Sequence, residues 1–121
     1  MIKSMLLFGF ISLSIFGVGN AQQFAAETIN NASIDDISPA PPSARSPSPD
    51  PAVIHLQVLL DRAGSSPGVI DGFYGDNVVK AIAGFEIMQR LPVDGKPDPQ
   101  MLARLQDDRK VIGPYVIAQD D

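Results

Sequence analysis

The chain has 121 residues, of which 45% are hydrophobic, and this length fits one domain with a packed core. Its formal net charge is −5, which excludes binding to nucleic acid or to anionic lipid by bulk electrostatic attraction. It has no cysteine, which excludes disulfides, thiol nucleophiles and cysteine metal ligands.

Residues 1–21 have the pattern of a secretory signal peptide. An apolar run follows the basic residue Lys3, and the small residues Gly19 and Ala21 precede the expected cut. The run is shorter than the roughly 20 residues that cross a bilayer, so an uncleaved membrane anchor is only the alternative. Cleavage would leave eight basic and fourteen acidic residues, a formal charge of −6. We therefore expect an exported protein with no membrane attachment after cleavage.

Residues 22–49 are predicted to be a disordered linker. They are rich in Ala, Ser, Asn, Asp and Pro, and they end in closely spaced prolines. Proline removes backbone donors and favours extended polyproline geometry. A short transient helix around residues 25–34 is the most structure that this composition predicts, and nothing in it is periodic enough to pack.

The globular part is predicted over residues 50–106, and its first and third helices share one starting signal. Asp50 followed by Pro51 is typical of a helix start, and the pair Asp98 and Pro99 repeats it. The first helix is expected to end at Gly64. The third is shorter.

The second predicted helix begins near Asp76 and runs to about Gln89. Gly84 inside it indicates either close backbone packing or local softness, since glycine costs about 1 kcal/mol against alanine in a helix. Apolar residues at helical spacing predict the buried faces of all three helices. These residues are Val53, Leu56, Leu60, Ala63, Val78, Ala81, Ile82, Phe85, Leu102 and Leu105.

The same corner is predicted twice between the helices. Ile70–Gly72 and Val93–Gly95 each place an apolar residue before Asp-Gly, and a helix starts four or five residues after each Asp. Glycine takes positive φ without a Cβ penalty, and Asp can bond to the backbone two residues on. We expect the preceding apolar side chain to anchor each corner in the core.

These residues resemble the type-one peptidoglycan-binding domain, a three-helix module of bacterial cell-wall enzymes. The resemblance covers residues 50–106, and its pieces occur in order and at the family's spacing. They are VIHLQVLLDRAG over residues 53–64, GVIDGFYG over residues 68–75, and then Ala81-Ile82, Phe85, Leu91, Asp94-Gly95 and Leu105.

The chain departs from the family's pattern at six positions. Val78, Glu86 and Arg90 stand where Thr, Gln and Gly are usual, and Asp98, Met101 and Leu102 replace a common Gly, Thr and Trp. An arginine in a left-handed helix cap is strained, so a different end to the second helix is an alternative here.

The resemblance implies an all-α, three-helix fold and a noncatalytic module that binds peptidoglycan in the periplasm or cell wall. The contact would be to the glycan strand or the stem peptide, made by a monomer without a cofactor. Two alternatives stay open: the targeting half of a truncated L,D-transpeptidase or hydrolase, and an envelope protein–protein interaction module. A cell-wall enzyme is a further candidate partner. Residues 107–121 are predicted to be a tail whose apolar run either packs back on the domain or begins a missing one.

The residues contain no convincing catalytic or metal-binding set. His55 is the only histidine, so a solvated or edge-packed side chain is favoured over a metal ligand. No Ser-His-Asp or Cys-His arrangement fits in so short a segment. A corner or a helix cap accounts for Asp71, Asp76, Asp94 and Asp98, which argues against a catalytic carboxylate pair. We therefore expect no enzyme and no metal.

Five residues are candidates for contact with a ligand: Gln57, Phe73, Arg90, Asp71 and Asp94. Phe73 is expected to face outward, where its ring suits an apolar sugar face; packing against Val69 or the linker is the alternative. Its neighbour Tyr74 is expected in the core.

The polar candidates have simpler alternatives too. Arg90 could hold a stem carboxylate through two hydrogen bonds, and the amide of Gln57 suits N-acetyl or peptide groups. Solvated positions on the helix surface would equally explain both side chains. Asp71 and Asp94 are included because they lie in the two corners.

Overall fold

The computed structural model describes residues 24–38, 47–106, 109–114 and 116. Within these ranges the secondary structure is helical, with α1 at Ala26–Asn30, α2 at Pro51–Arg62, α3 at Asp76–Gln89 and α4 at Pro99–Leu105. The predicted all-α fold is confirmed, and α2 to α4 are the three expected helices. None of the described helices is long and apolar enough to span a bilayer. The predicted signal peptide and the proline-rich residues 39–46 lie outside the described residues.

Helices α2 and α4 begin as the sequence predicts. The Asp50 carboxylate accepts a hydrogen bond from the Ala52 backbone N–H, and that of Asp98 accepts one from the Met101 N–H, both at 2.8 Å. Such caps satisfy N–H groups that have no partner within the helix. Helix α3 differs, because Gly75 stands at its N-cap and offers no side chain.

Helices α2 and α3 end in the same motif. The backbone N–H of Ser65 donates to the Leu60 carbonyl, and that of Leu91 donates to the Glu86 carbonyl, both at 2.9 Å. Each is the six-to-one hydrogen bond of a Schellman motif. In this motif the residue just before the donor adopts the left-handed backbone conformation. That residue is a glycine after α2 but Arg90 after α3, with φ of 57°. The second helix therefore ends in the usual way despite the strain, and the alternative ending is not adopted.

The core lies where α2, α3 and α4 meet. Its buried side chains there are Leu56, Leu59, Leu60, Val78, Ala81, Ile82, Phe85, Met101, Leu102 and Leu105. Ala63, predicted to be buried, is exposed because α2 has already ended at Arg62. A Cβ on Gly84 would lie only 2.7 Å from the Ser65 hydroxyl, which donates to the Ala81 carbonyl at 2.6 Å. Close packing, rather than softness, therefore accounts for Gly84.

Residues 24–38 correct the prediction of a disordered linker without packing. Helix α1 contacts α2, and Ile29 and Ile34 are buried in the same core. His55 of α2 is half-buried, and its Nδ1 donates to the Ala32 carbonyl at 3.0 Å. The apolar residues of this segment follow neither a helical nor a strand period. Their burial depends on the surface of α2, which local sequence patterns do not show.

Residues 110–112 also pack back on the domain. The Asn30 side chain accepts hydrogen bonds from the backbone N–H groups of Val111 and Ile112 and donates to the Ile112 carbonyl, all at 2.9 Å. Arg62 donates to the Lys110 carbonyl at 2.9 Å, and Val111 is buried. Segments from both sides of the three-helix module thus meet each other on its surface.

Candidate functional site

Gln57 of α2 holds the first corner from the inside. Its Oε1 accepts from the backbone N–H groups of Asp71 and Gly72 at 3.0 and 2.9 Å, and its Nε2 donates to Asp71 Oδ1 at 3.0 Å. The same Asp71 oxygen accepts from the Phe73 N–H at 3.0 Å. Gln57 is only 1% exposed. The structure therefore places its amide in support of the corner and out of reach of a ligand.

Glu86 of α3 plays the same part at the second corner. Its Oε2 accepts from the backbone N–H groups of Asp94 and Gly95 at 3.0 and 2.9 Å. Asp94 Oδ1 accepts from the Lys96 N–H at 2.9 Å, as Asp71 does from Phe73. Glu86 is fully buried. The two corners thus share one hydrogen-bond pattern, with a carboxylate replacing an amide at the second.

The apolar residue before each Asp-Gly pair does not anchor its corner, so that prediction is wrong. Ile70 is 43% exposed and Val93 is 54% exposed. The corners are held instead by polar side chains that reach out of the core, because two adjacent backbone N–H groups turn inward and need an acceptor. The sequence carried a signal for this: Gln57 and Glu86 each directly follow a core residue.

The glycines of both corners have the positive φ that the sequence predicts. Gly72 has φ of 78° and Gly95 has φ of 68°. The Gly72 carbonyl also accepts from the Asp50 backbone N–H at 2.9 Å, which ties the first corner to the start of α2. The corner is thereby bonded both to the middle and to the beginning of one helix.

The two adjacent aromatic residues differ in burial, as predicted. Phe73 is 41% exposed, whereas Tyr74 is half-buried and packs against the core. Phe73 lies between two clefts. One, of about 410 Å³, is bounded by residues 32–38, the start of α2 and the first corner; the other, of about 190 Å³, lies toward the start of α3.

The five predicted ligand contacts fall into two groups, one at each corner. Hydrogen bonds join Gln57, Asp71 and Phe73 at the first. Arg90 and Asp94 belong to the second, and both are exposed. The structure therefore supports an accessible position for every candidate except Gln57.

The hydrogen bonds of the first corner also act on the charge of Asp71. The side-chain bond from Gln57 is the largest cause that lowers the pKa of Asp71 below its ordinary value of 3.8, and the Phe73 N–H adds to it. Desolvation opposes this shift without cancelling it.

We expect the Asp71→Asn protein to lose less stability in acid than the unmodified protein does. Because the folded pKa is lowered, the ionised Asp71 stabilises the fold above its unfolded pKa of about 3.8, and this contribution is lost as the pH falls through the folded pKa. The asparagine keeps the acceptor oxygen but does not titrate. Melting temperatures between pH 6 and about pH 2 should therefore fall less steeply in Asp71→Asn than in Asp61→Asn, an exposed control. Parallel curves would contradict the assignment.

The architecture is that of a small helical module whose accessible features are two rigid corners and the clefts beside them. Residues 49–105 match the family model described as "Putative peptidoglycan binding domain". Comparisons with curated proteins and with solved structures found no match. The family is one of binding modules and implies a context at the cell wall.

Proposed function

We propose that the chain is an exported, noncatalytic module that binds peptidoglycan and holds itself or a partner at the cell wall. The observation that carries the proposal is the family match over residues 49–105, in a domain whose two corners are each held by a buried polar side chain. The signal-peptide pattern of residues 1–21 supports export.

The proposed contact surface is the larger cleft together with the ring of Phe73. Its volume of about 410 Å³ lies within the range of small-ligand sites, roughly 300–1,000 Å³. The first corner, which carries Phe73, is held by hydrogen bonds to α2, so the exposed ring is presented on a rigid support. A planar ring of this kind suits the apolar face of a sugar.

The charges around this cleft favour a ligand that donates hydrogen bonds. Asp36 and Ser33 line it together with the Asp50 cap. Hydroxyl groups and N-acetyl N–H groups of a glycan strand can donate to these oxygens, whereas a stem carboxylate would be repelled by them. Arg90, beside the second corner, is an exposed cation that can hold such a carboxylate. We therefore assign the glycan strand, rather than the stem peptide, to the cleft.

Phe73→Ala is expected to reduce binding to purified insoluble sacculi about tenfold, a loss of roughly 1.4 kcal/mol, while the melting temperature falls less than in Tyr74→Ala. At 41% exposure the ring offers contact area to a ligand and buries less of its surface on the fold than a core side chain does. Tyr74→Ala should lower stability more, because it truncates a side chain packed on the core and costs about 3 kcal/mol. Co-sedimentation and thermal unfolding measure the two effects.

Val69→Ala is the matched control, since Val69 is exposed on the same loop but lines the smaller cleft. It should leave sacculus binding unchanged. If Val93→Ala at the second corner lowers binding while Phe73→Ala does not, the surface is misplaced. If the unmodified protein stays in the supernatant at low and at high salt, wall binding itself is wrong.

A further inference from the structure

Three carboxylates from different parts of the fold meet at the second corner. Glu86 comes from α3, Asp94 from the corner and Asp98 from the N-cap of α4, and one oxygen of each lies within 4.8 Å of the others. Burial increases from Asp94, which is exposed, through Asp98 to Glu86, which is 0% exposed. Like charges this close repel one another unless something positive lies between them.

The buried member of this cluster has an oxygen without a partner. Glu86 Oε2 accepts the two corner N–H groups, but Oε1 is buried and has no hydrogen-bond donor among the residues that the structure describes. A buried carboxylate oxygen left without a partner costs considerable free energy, so it calls for a specific explanation.

The first corner shows which atom this oxygen corresponds to. There Gln57 Oε1 takes the two backbone N–H groups, and Nε2 lies against Asp71 Oδ1 at 3.0 Å and the Phe73 carbonyl at 3.4 Å. By the shared bonding pattern, Glu86 Oε1 corresponds to that amide nitrogen, and Asp94, which corresponds to Asp71, belongs to the same carboxylate cluster. A donor in the first corner is thus replaced by an acceptor in the second.

We propose that Glu86, Asp94 and Asp98 bind a hard divalent cation, with Ca²⁺ the best fit. All three ligands are oxygens, which Ca²⁺ accepts at about 2.3–2.6 Å, so ligands on opposite sides of the ion are separated by up to about 5 Å. The oxygens within 4.8 Å of one another fit that sphere. The absence of nitrogen and sulfur from the set argues against zinc or copper.

Cation binding leaves the local hydrogen bonds intact. Asp94 Oδ1 accepts from the Lys96 N–H and Asp98 Oδ1 caps α4 through the Met101 N–H, so each carboxylate keeps a second oxygen for the ion. The ion would join the end of α3, the corner and the start of α4. This inference does not depend on peptidoglycan binding.

Thermal unfolding of the purified protein, first treated with a chelator, tests the proposal. The melting temperature should rise by about 5 °C in 10 mM CaCl₂, less in MgCl₂, and not at all in NaCl of matched ionic strength. Calorimetric titration with CaCl₂ alone should show one site. Equal melting temperatures in CaCl₂ and in NaCl, without binding heat, would overturn the proposal.

Two conservative variants locate the site. Glu86→Gln restores the donor seen in the first corner, so it should be at least as stable as the unmodified protein in chelator but should lose the Ca²⁺ response, with affinity at least about tenfold weaker. Asp94→Asn keeps an acceptor for the Lys96 N–H and should also lose the Ca²⁺ response. It tests the site independently if Glu86→Gln does not fold. Asp71→Asn, the matched change at the first corner, should respond fully. A Ca²⁺ shift that survives in Glu86→Gln or Asp94→Asn, or that disappears in Asp71→Asn, rules the site out.

Discussion

Gly72→Val is expected to lower the free energy of unfolding by about 2 to 5 kcal/mol. Gly72 has φ of 78°, and a valine there carries left-handed strain of about 1–2 kcal/mol. A Cβ at this position would also lie 3.0 Å from Ile54 Cγ1 and from Pro49 Cβ, and 3.1 Å from the Asp50 backbone nitrogen. Overpacking of this kind adds about 1–3 kcal/mol. Urea denaturation at neutral pH measures the sum.

Gly68→Val separates strain from crowding. Gly68 has φ of 83°, but a Cβ there meets nothing within 4 Å. Backbone strain alone should therefore destabilise Gly68→Val, by about 1–2 kcal/mol. If the two variants are equally destabilised, the corner moves away from Ile54 and the short contact of the added Cβ does not contribute to the loss of stability. A Gly72→Val protein as stable as the original would show that the corner is built differently.

Gln57→Met is expected to cost about 3 kcal/mol or more, although methionine has a similar length and fills irregular space well. The change removes the acceptor of two backbone N–H groups, of which that of Gly72 is buried, and the donor to the Asp71 carboxylate. Each orphaned buried group costs about 1–3 kcal/mol. Because Phe73 is carried by this corner, sacculus binding should fall together with stability.

Gln100→Met provides the control for this substitution. Gln100 is exposed on α4, so the same chemical change there should alter stability by less than about 0.5 kcal/mol. A Gln57→Met protein that unfolds at the same urea concentration as Gln100→Met would mean that the buried amide does not hold the corner.

Local sequence signals were sufficient for the helices. Asp50 with Pro51 and Asp98 with Pro99 act through atoms within three residues of each other, and the structure has helix starts at both pairs. The greater exposure of Phe73 and the packing of Tyr74 on the core were also predictable, because adjacent residues in a tight loop rarely face the same way. These features depend on chain geometry alone.

The roles of the polar residues were not predictable in the same way. The amide of Gln57 offers the donor and acceptor expected of a ligand contact. Only the structure shows that it is buried and bonds to a corner 14 residues away. The carboxylate cluster is not evident from the sequence, because Glu86, Asp94 and Asp98 are separated along the chain and meet only in the fold.

The sequence by itself determined the all-α class, the positions of α2 to α4, the two Asp-Gly corners and the family resemblance of residues 49–105. These follow from capping, periodicity and turn chemistry, which act over a few residues. Only the tertiary structure decided that Ile29 and Ile34 join the core, that buried polar side chains rather than Ile70 and Val93 hold the corners, and that Glu86 meets two aspartates. Each of these depends on which surfaces meet across the fold, because burial and charge proximity are properties of packed elements and not of neighbours along the chain.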